Sequence, residues 1–189
     1  MPLFSVIDLL ALAFFLLSWA GYAFALAFTQ RRRRDLNDEM NRYRTMWAMQ
    51  MLARENRIVD AQIVASLQNG SAFFASTSLL AAGGALTLLR STKEILEVVS
   101  ALPFGIGTTA VQWEAKTMGL SVIFIYAFFK FGWAYRLFNY VAIMVGATPP
   151  ASQKTDPEAQ AHAARVGRLC DSAGRHFNRG QRAFFFALG

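Results

Sequence analysis

Residues 117–145 read TMGLSVIFIYAFFKFGWAYRLFNYVAIMV, an apolar and aromatic run interrupted by two charges, Lys130 and Arg136. At about 1.5 Å of rise per residue it is long enough to cross a bilayer as a helix. Its composition makes a membrane its expected solvent. The two cations are then the conspicuous chemistry inside it.

The rest of the chain follows the same division. Val6 to Phe28 and Ser71 to Leu89 carry no charge except Asp8, and the charged residues gather between such runs. Hydrophobic residues make up 54% of the chain and charged ones 16%, too few charges to cover a soluble globule of this length unless the apolar residues face lipid. The net charge of +7 sits in the segments between apolar runs, the pattern of the positive-inside bias, and points away from nucleic acid as a partner. Cys170 is the single cysteine, so no intramolecular disulfide can form.

The order of charges orients the chain. The first apolar run has no basic residues before it and Arg31 to Arg34 after it, the reverse of a secretory signal. A retained span over about 6–28 with its N-terminus outside is the expectation, with Asp8 near the outer boundary. Arg31 to Asp60 holds eight basic and five acidic residues, whereas Arg90 to Lys116 holds three of each, which places the second connection outside. There, Ile95, Leu96, Val99 and Leu102 suggest a short amphipathic helix ended by Pro103 and followed by a loop over 105–109.

From Leu36 to Gln68 there is no Gly or Pro, and apolar residues recur at Leu36, Met40, Tyr43, Trp47 and Met51, then Leu52, Val59, Ile63 and Leu67. That spacing predicts a cytoplasmic amphipathic helix over 36–68. Asn69-Gly70 reads as a break before a second span over 71–89, although a membrane helix can also run through a glycine. On that span Thr77, Ala81 and Ala85 lie four apart, as do Ser78 and Ala82, a small-residue face on which another helix can pack, from the same chain or another copy. The third span is expected over 117–140. After the proline-rich linker around Pro149 and Pro150, a second cytoplasmic helix is expected over 158–178, its apolar stripe opposed by Arg165, Arg168, Arg175 and Arg179. Arg182 follows, and 183–189 reads as the opening of a fourth span. The basic face can meet anionic lipid headgroups or an acidic partner.

Chemistry is sparse. His162 and His176 are the two histidines, and fourteen residues of helix would separate them by about 21 Å, too far to share a metal. Cys170 falls in an apolar stripe. Lys130 has Tyr126 at i−4 and Trp133 at i+3, positions that can supply a hydroxyl and an aromatic face to an ammonium. Three environments fit it: snorkelling with Arg136 toward the cytoplasmic boundary, a contact to another helix or a headgroup, or an ion or substrate path.

Two stretches, ARENRIVDAQIVASLQNGSAFFAST over 53–77 and HFNRGQRAFFFALG over 176–189, resemble the bacterial membrane proteins of the domain of unknown function 599 family. The Asn178-Arg179-Gly180-Gln181-Arg182 segment corresponds to the Asn-Arg-Gly-x-Arg motif that precedes the fourth span in that family. The resemblance implies a four-span inner-membrane topology and leaves activity open. The fold expected is an all-α integral membrane protein with three full spans, the start of a fourth and two cytoplasmic amphipathic helices, forming one membrane domain. The function expected is a non-catalytic scaffold or accessory subunit, without cofactor or metal, acting as a homo-oligomer or within a larger complex of the bacterial inner membrane. The alternative is an oligomeric channel or anion transporter using Lys130.

Overall fold

The computed structural model describes residues 6, 10, 13, 14, 17, 18, 21, 36–101 and 109–188. Five α-helices account for nearly all of the two long segments: α1 (Leu36–Leu52), α2 (Ile58–Arg90), α3 (Thr92–Ser100), α4 (Ala110–Gly146) and α5 (Pro157–Leu188). A single 3₁₀ turn, Ala151–Gln153, lies between α4 and α5. The expected span over 6–28 falls mostly outside the described residues, as do Asp8, Arg31 to Arg34 and the Pro103 loop. Its described positions are helical and exposed.

The helix ends have local causes. Thr109 opens α4 with a capping box: its hydroxyl accepts from the Gln112 amide at 3.3 Å, while the Gln112 side chain accepts from the Thr109 amide at 3.0 Å. Asp156 accepts from the Glu158 amide at 2.9 Å, and Pro157 occupies the first position of α5, where its missing N–H costs nothing. Past the end of α4, Arg57 reaches across from the start of α2 to donate to the carbonyls of Thr148 and Pro149.

The helix boundaries differ from the expected ones in three places. The expected helix over 36–68 is broken at 53–57, where the chain turns between α1 and α2. Asn69-Gly70 does not break the chain; α2 runs through it for 33 residues and joins the polar segment to the apolar run over 71–89. The segments expected as a second cytoplasmic helix and as the start of a fourth span are likewise one helix, α5. The segment expected as a third span, 117–140, lies within the 37 residues of α4.

α2 and α4 form an antiparallel hairpin. Its register is set by Arg57 against Thr148, by Gln68 donating to Asn139, and by the stacked rings of Phe74 and Phe131, 5.2 Å apart. Carried to the far end of α2, this register brings Arg90 level with Ala115 and Lys116. α5 lies antiparallel along α4, with His162 at the Met144 carbonyl and Phe184 against Phe124. α1 packs on the first half of α5: Gly167 seats Thr45 and Ala48, and Arg44 reaches Asp171 at 3.5 Å.

Two cores result. At the α1 end, Ala48, Met51, Val64, Phe138, Val141, Val166, Cys170 and Ala173 join all four long helices. Toward the other end, Phe124, Ala127, Phe131, Ala82 and Phe184 form a second cluster, with Phe74 and Phe177 packed on it. α2 and α4 are long and apolar enough to cross a membrane, and among the described residues they are the helices of which this holds.

Glycine decides one contact. A Cβ at Gly180 would lie 3.0 Å from the Phe131 ring and 3.2 Å from Lys130 Cβ, so the close approach of α5 to α4 requires its absence. At Gly70 nothing lies within 4 Å. Gly70→Ala is therefore expected to stabilise the protein by about 0.5–1 kcal/mol through helix propensity alone. Gly180→Ala is expected to cost about 1 kcal/mol or more through overpacking. Thermal unfolding in detergent of the two variants should move in opposite directions.

Candidate functional site

The small-residue face of α2 is used within the chain. Ser78, Ala82 and Ala85 are buried, along with Ser71, and Thr77 and Ala81 are half-buried at the edge of the same seam. Ser121 and Thr117 of α4 are buried as well. The hydroxyls of Ser71, Ser78 and Ser121 donate to their own helices, to the carbonyls of Leu67, Phe74 and Thr117 at 2.8–2.9 Å. The seam is thus held by close packing, with its polar atoms already satisfied.

On the outer side of α4, the cations and aromatic rings pair differently from the expected arrangement. The Lys130 ammonium lies 5.1 Å from the centre of the Tyr126 ring, so Tyr126 offers it an aromatic face in place of the expected hydroxyl. Trp133 serves Arg136 instead, 5.5 Å from its ring centre. Arg136 also sits 5.6 Å from the Tyr140 ring and donates to its hydroxyl at 2.8 Å. The result is a ladder of Tyr126, Lys130, Trp133, Arg136 and Tyr140 along one face, in which each cation lies on a ring that can hold it electrostatically. Tyr140 was not among the expected partners, although its i+4 spacing from Arg136 is a usable signal.

α5 supplies the second half of the site. Arg165, Arg168, Arg175, Arg179 and Arg182 are all exposed along it. Arg175 pairs with Asp171, which also meets Arg44. Because Gly180 lies against Lys130, the stretch of α5 around Arg179 shares a groove with the Lys130 segment of α4. His176 lies in that groove, its ring 6.2 Å from Trp133 and its Nδ1 buried without a hydrogen-bond partner. Sequence reasoning considered His176 as a metal ligand alone; its neighbours depend on the α4–α5 register. The other histidine, His162, donates from Nε2 to the Met144 carbonyl at 2.9 Å and so caps the end of α4.

Residues 10–189 match the family model described as Protein of unknown function, DUF599. The chain belongs to the DUF599 family. No curated protein matches it, and no solved structure does. The DUF599 match covers both stretches that carry the resemblance, so the Asn178 to Arg182 segment can be placed: it is the part of α5 that closes on Lys130 and Phe131 through Gly180.

A second polar constellation lies at the α1–α2 turn. Asp60 is fully buried; its Oδ1 accepts from Trp47 Nε1 at 2.8 Å and from Arg54, while Oδ2 has no partner. A shallow cleft of about 420 Å³ lies nearby, lined by Glu55, Arg57, Thr148, Pro150, Ala151 and Ser152. Among the described residues no three His, Cys, Asp or Glu side chains are grouped as metal ligands. Burial pushes the Cys170 thiol above its ordinary value, with Arg44 offsetting part of the effect.

Burial, followed by the charges of Lys130, Arg179 and Arg175, holds the His176 imidazole below its ordinary value. The unfolded chain then takes up this proton at a higher pH than the folded one, so stability falls as the pH drops through about 6.5. His176→Gln should remove that part of the acid sensitivity. Melting temperatures between neutral and mildly acidic pH are expected to show a shallower decline in the variant than in the parent.

Proposed function

We propose that this DUF599 protein is a non-catalytic scaffold or accessory subunit of a membrane protein assembly in the bacterial inner membrane. In this reading α2 and α4 cross the bilayer, a further span precedes them over about 6–28 with the N-terminus outside, and the core joining α1, α2, α4 and α5 lies in the cytoplasm.

The observation that carries the membrane part is the exposure of the two apolar helices. Only 17% of the most apolar window of α2 and 33% of that of α4 are buried, whereas the core helix of a soluble protein would be covered on most sides. Phe73, Leu79, Leu80, Met118, Val122 and Phe129 are all exposed. The charge levels agree with it. Lys116, near Arg90, and Lys130, near Arg179, are separated by about 21 Å of helix, and snorkelling at both ends extends this toward the roughly 30 Å of a hydrocarbon core.

The scaffold part rests on continuity. Beyond the Lys130 level α4 runs on for about 24 Å to Gly146, and α2 extends a comparable distance from Phe74 back to Ile58. Neither helix is interrupted there, so the proposed cytoplasmic bundle is a rigid extension of the membrane helices. Its surface exposes Met40, Tyr43, Met46 and Met49 on α1, residues suited to an adaptable protein contact. The competing anion-path reading has thinner support, since Lys130 and Arg136 both rest on rings of their own helix.

Purification in mild detergent followed by native mass measurement tests the proposal. A mass above that of one chain, from further copies or a bound subunit, is expected. A strictly monomeric species with no co-purifying partner would count heavily against it.

A further inference from the structure

The groove between α4 and α5 concentrates positive charge around one buried, unpartnered nitrogen. Lys130 comes from α4, its Cβ facing Gly180 and its ammonium on the Tyr126 ring; Arg175 and Arg179 flank His176 along α5, and His176 Nδ1 is buried without a partner. Lys130 and Arg179 have no ion-pair partner among the described residues. Asp171 is held by Arg44 and Arg175. α2, the other helix at this level, is uncharged between Asp60 and Arg90.

We propose that this groove binds a phosphate-bearing anion, the headgroup of an anionic phospholipid or free phosphate, with Lys130, Arg179 and Arg175 gripping its oxygens and His176 as the inner donor. The headgroup source rests on the membrane reading above, in which Lys130 marks the edge of the hydrocarbon layer. A guanidinium offers a phosphate two parallel N–H donors, and an ammonium adds a compact charge from the opposite wall. Trp133 flanks His176 with an amphipathic ring of the type found at the membrane interface.

The cluster without its anion is electrostatically unfavourable. The same three cations that would hold a phosphate also oppose protonation of His176. An anion seated among them reverses the sign of the local field. It would favour the imidazolium, whose two N–H groups both donate, so binding and proton uptake are linked.

The test uses the full chain in lipid nanodiscs with ring-labelled histidine, following the His176 titration by NMR and assigning it with His176→Gln. Three conditions are compared: phosphatidylcholine alone, phosphatidylcholine with phosphatidylglycerol, and phosphatidylcholine with free inorganic phosphate. An upward shift of about one pH unit is expected when the anion binds. A shift with phosphatidylglycerol alone assigns the site to a headgroup, a shift with free phosphate assigns it to a soluble anion, and no shift in either overturns the proposal.

Lys130→Met combined with Arg179→Gln should lose the shift. Arg165→Gln combined with Arg168→Gln, on the same face but more than two turns from His176 and Arg179, should keep it; equal loss in both pairs would indicate diffuse surface charge and overturn the site. The His162 signal, fixed by its bond to Met144, reports that the bundle is intact in each variant. A chain that elutes free of lipid overturns the membrane reading and the headgroup source together, and the free-phosphate titration of that soluble chain then decides the site.

Discussion

The stacking of Phe74 on Phe131, together with the Gln68–Asn139 hydrogen bond, locks α2 against α4 in one register, and the position of every other element depends on it. A ring stack of this kind adds about 0.5–1.5 kcal/mol beyond the area it buries. Its larger effect is geometric. Phe177 and Phe184 both meet Phe74 edge-on, so α5 is positioned by the same two rings that align the hairpin. Slipping α2 by one residue would rotate Ser71, Ser78 and Ala82 out of the seam and bring larger side chains into it.

At the opposite end of the hairpin, the α1–α2 turn is fixed by polar contacts. Asp60 is buried with Trp47 and Arg54 on one oxygen, and Arg57 ties the same turn to the carbonyls after α4. Arg54 is part-exposed while Asp60 is fully buried, so removing Arg54 would leave a buried carboxylate without its countercharge. The turn therefore holds its shape without a glycine or proline. It also explains how α1 folds back onto α5 while α2 continues toward the apolar end.

That arrangement accounts for what could be read in the sequence. Apolar runs and helix formers were legible because they are local, and the family was legible in the residues around Asn69 and Asn178. The helix break was misplaced because its visible signal was local and its cause is not. Gly70 costs a helix about 1 kcal/mol, which the packing of Ser71 and Phe74 outweighs, whereas the break at 53–57 depends on the folding of Trp47 back onto Asp60 and on Thr148, far off in sequence. The pairing of Lys130 with Tyr126 followed from spacing on one helix. The groove containing His176 did not, since it exists only when Gly180 lets α5 approach α4.

Gly180 links the two ends of the molecule through that approach. α5 carries Val166 and Cys170 in one core and Phe184 in the other, with no break between them. Its basic groove lies at the crossing point. Any force applied there, by an anion drawing Arg179 and Lys130 together or by a proton separating His176 from them, acts on a helix packed against both cores. A rigid helix spanning two cores moves as a unit, so a local change in the groove must be accommodated at the α1–α5 contact around Gly167 and Gly174, where Arg44 lies directly over the glycine. The Arg44 guanidinium over Gly174 is itself held by Asn41 and Asp171, so the α1–α5 contact is tied by polar bonds where the Gly180 contact is tied by the Phe131 ring.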